Sequence, residues 1–188
     1  MLSTVYKAEM LEKSEKLLFK DYKKFAESPG YQYDLVSIRQ QVLSNRALEC
    51  YNEICGAYDK KDTESFKKYS EEFLELADKM DAVTGESEYY SLSRYLKFAD
   101  TVAEDKDDFT RRVYRISAKS LITTLGSYVM SENRGHDYSN RQWSELISGF
   151  YRKRWEMFFK KCLDELSGLP TEEINWFEWE WNWVRNND

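Results

Sequence analysis

Polar side chains of four different chemical types crowd into residues 137–141, Asp-Tyr-Ser-Asn-Arg. Asp137, Tyr138, Asn140 and Arg141 supply a carboxylate, a phenol, an amide and a guanidinium, which together can donate and accept hydrogen bonds with a polar ligand. The spacing of Ser139 and Gln142 also fits a helix capping box, so a plain helix start is the alternative. Capping does not account for Tyr138 and Arg141. The segment therefore predicts a helix start, which either is only capped or also faces a polar ligand.

The residue types give little support for a metal site or a redox site. The chain has one histidine, His136, and three cysteines, and it contains no CxxC or HxxxH spacing. Cys50 and Cys55 would point about 140° apart on a helix, which excludes a local disulfide. With Cys162 they are expected to be buried thiols. We predict no metal and no cofactor.

Composition indicates one folded domain over residues 1–188. The 188 residues are 41% hydrophobic and 16% aromatic, enough for a sizeable core. A net charge of -6 argues against a nucleic-acid or anionic-membrane partner, because such surfaces need clustered basic residues. No apolar run approaches the roughly 20 residues that cross a bilayer. The cellular compartment is left open.

Helical periodicity recurs along the whole chain, while breakers are sparse at 2 Pro and 7 Gly. The pattern predicts an all-α bundle of about six to seven helices in a single domain. The expected helices are 4–27 (ending at Ser28-Pro29-Gly30), Asp34 to about 59, Asp62 or Thr63 to Gly85, Tyr89 to Ala103, one after the acidic turn 104–108, and 138–166. Residues 126–135 are expected to form a loop.

The tryptophan-rich tail is ambiguous by pattern alone. Phe177, Trp179, Trp181 and Trp183 alternate as in a strand, whereas Thr171 precedes acidic residues as at a helix start. We predict a helix, because no other strand is available for pairing. Its tryptophans would dock onto the bundle or a neighbouring domain; a sugar-stacking platform is the alternative.

Four segments carry a family resemblance. YQYDLVSIRQQVL (31–43), YRISAKSLITTLG (114–126), DYSNRQWSEL (137–146) and FYRKRWEMFF (150–159) resemble, in this order, the C-terminal α-helical domain of the α-N-acetylglucosaminidases, glycoside hydrolase family 89. The tail INWFEWEWNWV is similar to the way bacterial members end. The resemblance covers nearly the whole chain from Tyr31 onward.

The resemblance implies a retaining enzyme that removes terminal α-linked N-acetylglucosamine from glycans. Retention requires two carboxyl groups about 5 to 5.5 Å apart, and in the family both glutamates lie on a preceding barrel domain. This chain shows no strand and helix alternation, and Glu178 and Glu180 would point about 200° apart on a helix. We therefore expect no catalytic residue here, and no activity from the chain alone. Its implied partners are the catalytic barrel domain and the glycan.

The same resemblance assigns Asp137, Tyr138, Asn140 and Arg141 to one wall of the substrate cleft. Several positions depart from the family pattern: Leu125 replaces Trp, Ser37 replaces Asp, Glu145 replaces Gly, and Lys153 replaces Pro. We expect the fold to survive, with one aromatic sugar surface lost.

Two other functions remain open for the chain. It could be a noncatalytic relative that keeps the bundle as a binding or scaffold module, or an independent protein-interaction domain. The interaction domain would expose an apolar patch for its partner, and an isolated glycosidase domain would expose the surface meant for its barrel, which permits a dimer.

Overall fold

A computed structural model describes residues 6–125 and 137–186. Every regular element in these ranges is helical, which confirms the all-α class. No helix in them is long and apolar enough to cross a membrane. The elements, in chain order, are α1 (Ala8–Lys20), α2 (Tyr22–Phe25), α3 (Pro29–Asp59), α4 (Thr63–Thr84), a 3-10 turn (Glu88–Tyr90), α5 (Leu92–Val102), α6 (Asp108–Leu121), a π-helix (Ile147–Tyr151), α7 (Arg152–Leu166) and α8 (Trp176–Asn186).

The start of α3 differs from the prediction. We expected Ser28-Pro29-Gly30 to end one helix and Asp34 to cap the next, but α3 begins at Pro29. The Ser28 side chain accepts a hydrogen bond from the Tyr31 amide, and proline fits the first helical position because its missing N–H would have no partner there. The Ser-Pro pair is therefore a start signal. Of the two predicted caps for α4, Asp62 is the one that caps the helix and Thr63 is its first residue; the predicted helix end at Gly85 is confirmed.

The predicted helix start at residue 138 is wrong. Residues 137–139 form a turn, and helical backbone begins only at Leu146. The cap comes from α4, where Asp81 Oδ1 accepts hydrogen bonds from the amides of Glu145 and Ser148 at 2.8 and 3.0 Å. A carboxylate distant in sequence thus takes the place of the local capping box that the spacing of Ser139 and Gln142 had suggested. The predicted loop at 126–135 lies outside the described residues.

Contacts divide the chain into two compact units. The first unit comprises residues 1–90 and 143–172, and the second comprises 91–142 and 173–188. In the first unit, α3, α4 and α7 enclose an aromatic-rich core around Ile54, Phe66 and Phe159. Trp155 lies at its edge, with its ring centroid 5.0 Å from that of Phe73 and 5.2 Å from that of Phe159. The assignment of residues 1–188 to a single domain stays a prediction.

The second unit is built on α5, α6 and α8. The Tyr95 hydroxyl donates to the carbonyl of Ala118 at 3.3 Å, and Arg115 pairs with Asp100 at 2.7 Å, so both contacts tie α5 to α6. The tail is helical, as predicted, although it starts at Trp176 rather than after Thr171. Trp183 is buried in this unit, with its ring centre 5.8 Å from Nζ of the buried Lys119. Its ring is therefore not available for stacking on a sugar.

Candidate functional site

The candidate segment 137–141 forms an irregular turn of the second unit. Asp137 has a φ of +58°, in the left-handed region that residues with a Cβ seldom occupy. Its amide donates to the carbonyl of Thr123 at 2.8 Å, and its own carbonyl accepts from the Asn140 amide at 3.1 Å. The turn is thereby tied to the chain that follows α6.

Most of the predicted site residues are exposed. The side chain of Tyr138 is 83% exposed, Asn140 and Arg141 are also exposed, and Asp137 is half-buried. The four residues are neighbours along the chain, and a backbone hydrogen bond joins Asp137 to Asn140.

Backbone carbonyls restrain the side chain of Arg141. Its Nη1 donates to the carbonyls of Ser139 and Asn140 at 3.0 and 2.8 Å. It also lies near the phenol of Tyr95: burial raises the Tyr95 pKa, and the positive charge of Arg141 opposes that rise. A guanidinium restrained in this way loses less conformational freedom when it binds a ligand.

Sequence reasoning missed a group of hydroxyl residues that supports this turn. Ser120, Thr123 and Thr124 are buried. Ser120 Oγ and Thr124 Oγ1 share a hydrogen bond of 3.0 Å, and Thr123 Oγ1 donates to the carbonyl of Lys119 at 2.8 Å. The available signal was the Ile-Thr-Thr-Leu run itself, since an apolar core position next to a helix end seldom selects two hydroxyls without partners for them.

No carboxylate pair forms at Glu178 and Glu180. Glu180 is fully buried in the second unit, whereas Glu178 is exposed and accepts from Asn175 at 3.1 Å. Their opposite environments follow from their spacing on one helix. The pair cannot serve a retaining glycosidase.

Metal and thiol chemistry add no second site in the described ranges. Residues 6–125 and 137–186 contain no group of three or more His, Cys, Asp or Glu residues placed to hold a metal ion. Cys50 and Cys162 are buried, as predicted, while Cys55 is half-buried. Burial raises the pKa of the Cys50 thiol to about 11, so it is a weak nucleophile at neutral pH.

A groove of about 610 Å³ lies in the first unit, between α1 and α3. Its lining is Ser14, Leu17, Leu18, Asp21, Phe25, Tyr31, Asp34, Ser37 and Ile38. None of the predicted site residues lines it. The candidate segment is an open surface of the second unit and does not belong to this groove.

Comparison with known proteins places these features in a family. The family model described as the alpha-N-acetylglucosaminidase (NAGLU) C-terminal domain matches residues 2–188. The human alpha-N-acetylglucosaminidase is 26% identical over 162 residues, which cover 84% of this chain and 21% of the human protein.

Solved structures agree with this match. A family 89 glycoside hydrolase from Clostridium perfringens, in complex with PUGNAc, superposes with a TM-score of 0.93 at 34% identity over 98% of this chain. The same similarity holds for that organism's enzyme carrying two glutamate-to-glutamine substitutions, in complex with its substrate GlcNAc-alpha-1,4-galactose. This chain spans about a fifth of the length of these relatives, 21% in each case. Since the family model matches nearly all of it, the chain belongs to the family of alpha-N-acetylglucosaminidase C-terminal domains.

Proposed function

We propose that this chain works as the C-terminal helical domain of an α-N-acetylglucosaminidase-like glycoside hydrolase, packed on a catalytic barrel domain. The observation that carries the proposal is the similarity, with a TM-score of 0.93 over 98% of the chain, to an enzyme that is described in complex with GlcNAc-alpha-1,4-galactose. The absence of a usable carboxylate pair at Glu178 and Glu180 fits a division of labour, in which another domain supplies both acids.

The turn at 137–141 forms one wall of the substrate cleft in this proposal. Tyr138 and Arg141 offer hydroxyl and guanidinium donors, while Asp137 and Asn140 offer acceptor oxygens to the hydroxyl groups of a terminal α-linked N-acetylglucosamine. The exposure of Tyr138, Asn140 and Arg141 supports this role, because a wall that is completed by a second domain must be open on the isolated chain. The chain on its own binds sugar weakly and performs no hydrolysis.

The test uses the complete open reading frame that contains this chain. Its product is assayed for release of N-acetylglucosamine from GlcNAc-α-1,4-galactose, in parallel with the 188-residue chain alone. We expect release by the complete protein and none by the chain. A complete protein that contains no barrel, or that releases no N-acetylglucosamine, would overturn the proposal.

Two substitutions examine the cleft wall. Tyr138→Phe removes one neutral hydrogen bond, so kcat/KM should fall by up to about tenfold; Arg141→Ala removes a charged donor and should cost roughly 10- to 100-fold. Tyr114→Phe and Arg185→Ala, on helices of the same unit, are the matched controls and should leave kcat/KM unchanged. Equal effects of site and control variants would remove the turn from the cleft.

The noncatalytic alternative makes a different prediction in the same experiment. A binding module would retain N-acetylglucosamine without hydrolysing the disaccharide, and Arg141→Ala would weaken that binding. A pure protein-interaction domain would show neither response. The assay therefore separates the three functions.

A further inference from the structure

We infer that the buried hydroxyls of Ser120 and Thr124, with Thr123 between them, are positioning residues for the turn that carries Tyr138 and Arg141. The consequence for substrate binding rests on the proposed function. The positioning itself takes place within the second unit. There a hydrogen bond from the Asp137 amide to the Thr123 carbonyl joins two segments that carry the family resemblance, 114–126 and 137–146.

The first step is how the chain leaves α6. The helix ends at Leu121, and the next four residues form a bend. The Ser120–Thr124 hydrogen bond and the bond from Thr123 Oγ1 to the Lys119 carbonyl fix this bend from inside the unit. Thr124 is fully buried, so its hydroxyl is kept from water and depends on protein partners.

The second step is the backbone at Leu125. Its φ of +50° is unfavourable for a residue with a Cβ, so the surrounding contacts must hold it there. The Leu125 amide donates to the Ser120 carbonyl at 2.8 Å, which closes the bend on the same residue whose side chain binds Thr124. Ser120 therefore fixes the bend through both its side chain and its backbone.

The third step leads from the bend to the site. The bend presents the Thr123 carbonyl, which accepts the Asp137 amide at 2.8 Å. Asp137, also at positive φ, then turns the chain so that its carbonyl accepts from Asn140. Arg141 donates to the last two carbonyls before it. A continuous series of hydrogen bonds thus runs from the end of α6 to the guanidinium of Arg141.

Two substitutions at position 124 separate the hydroxyl of Thr124 from its shape. Valine has nearly the shape of threonine without its hydroxyl, so Thr124→Val removes the hydroxyl and with it the bond to Ser120. Thr124→Ser keeps the hydroxyl and should restore the bond. Thr101→Val is the matched control, since Thr101 Oγ1 donates to the Lys97 carbonyl on an exposed face of α5 in the same unit.

Hydrogen exchange of backbone amides in the 188-residue chain tests the positioning directly. In Thr124→Val, the amides of Asp137 and Asn140 should exchange roughly five- to tenfold faster than in wild type, because each depends on the bend. The Glu145 amide, bonded to Asp81, should be unaffected, as should all these amides in Thr101→Val. Unchanged exchange at Asp137 in Thr124→Val would overturn the inference.

Kinetics of the complete protein test the consequence for substrate. We expect Thr124→Val to raise KM for GlcNAc-α-1,4-galactose roughly fivefold at unchanged kcat, and Thr124→Ser to return KM to its wild-type value. A loss of stability alone would not raise KM while it leaves kcat unchanged. Ser120→Ala removes the partner of the same hydrogen bond and serves if Thr124→Val does not fold.

The outcomes separate the two claims. If Arg141→Ala raises KM while Thr124→Val and Ser120→Ala do not, the positioning role is refuted and the cleft wall stands. If amide exchange responds to Thr124→Val while neither it nor Arg141→Ala alters KM, the hydroxyls position the turn but the turn does not bind substrate, which refutes the cleft wall.

Discussion

Asp81 should be among the most important surface-accessible residues for the stability of the first unit. Its Oδ1 accepts from the amides of Glu145 and Ser148 at the start of the π-helix, where the first amides of a helix have no partner within the helix itself. A side-chain cap is worth about 1 kcal/mol, and hydrogen bonds to a charged acceptor are stronger than neutral ones. With two amides on one carboxylate oxygen, Asp81→Ala should lower the free energy of unfolding by about 2 to 3 kcal/mol.

Two further variants separate the hydrogen bonds from the charge. Asp81→Asn keeps an acceptor oxygen and loses only the negative charge beside the helix start, so its cost should be about 1 kcal/mol. Asp78→Ala is the control on the same helix, because the Asp78 carboxylate pairs with Arg152 at 2.7 Å while half-exposed, and such a pair contributes about 0 to 1 kcal/mol.

The stability of all three variants is measured by unfolding in guanidinium chloride, with tryptophan fluorescence as the signal. Trp155 lies against the core of the first unit and reports on its loss. Asp81→Ala should lower the midpoint clearly more than Asp78→Ala, with Asp81→Asn between them. If Asp81→Ala and Asp78→Ala lose equal stability, the assignment of the helix cap to Asp81 is refuted.

Three further predictions concern the core, a buried thiol and a strained backbone. Phe66 is 2% exposed, so Phe66→Ala should cost about 3 to 5 kcal/mol in guanidinium unfolding, while Phe98→Ala, at 61% exposure, should cost under about 1 kcal/mol. Because burial raises the Cys50 pKa to about 11, its thiol stays protonated as pH rises from 8 through 10; mass spectrometry after iodoacetamide treatment should find the half-buried Cys55 alkylated first at every pH in that range. Glu145 has a φ of +70°, so Glu145→Gly should raise the free energy of unfolding by up to about 1 kcal/mol and shift the unfolding midpoint slightly upward; a lower midpoint would contradict this.

Local signals in the sequence were sufficient for most of the fold. Helix α4 follows apolar spacing after a predicted cap at Asp62, which accepts from the Ser65 amide, and helix α6 begins at the acidic turn that was expected to precede it. The Ser28-Pro29 pair was misread because proline indicates a helix start or a helix end, depending on the chain that follows. Periodicity alone does not decide between them.

The candidate site was predictable only in its residue types. Asp137 to Arg141 adjoin one another in sequence, so any fold brings them together. Their supports could not be found in the same way: the Thr123 carbonyl and the Asp81 carboxylate act on residues that are distant in the chain. A partner that is distant in the sequence leaves no local pattern. The helix start was wrongly predicted at residue 138 because nothing near it in the sequence points to the cap at Asp81.

Backbone geometry distinguishes two departures from the family pattern. Leu125 has a φ of +50° where the resemblance expects a tryptophan; both residues carry a Cβ, so the backbone cost of that conformation would be the same and the difference would be the lost ring. Glu145 has a φ of +70° where the resemblance expects a glycine, which alone avoids the cost. The Asp81 carboxylate binds the Glu145 amide and so stabilises the strained residue directly. The substitution at 145 therefore makes the first unit more dependent on Asp81, and Glu145→Gly should reduce the stability lost in Asp81→Ala when the two changes are combined.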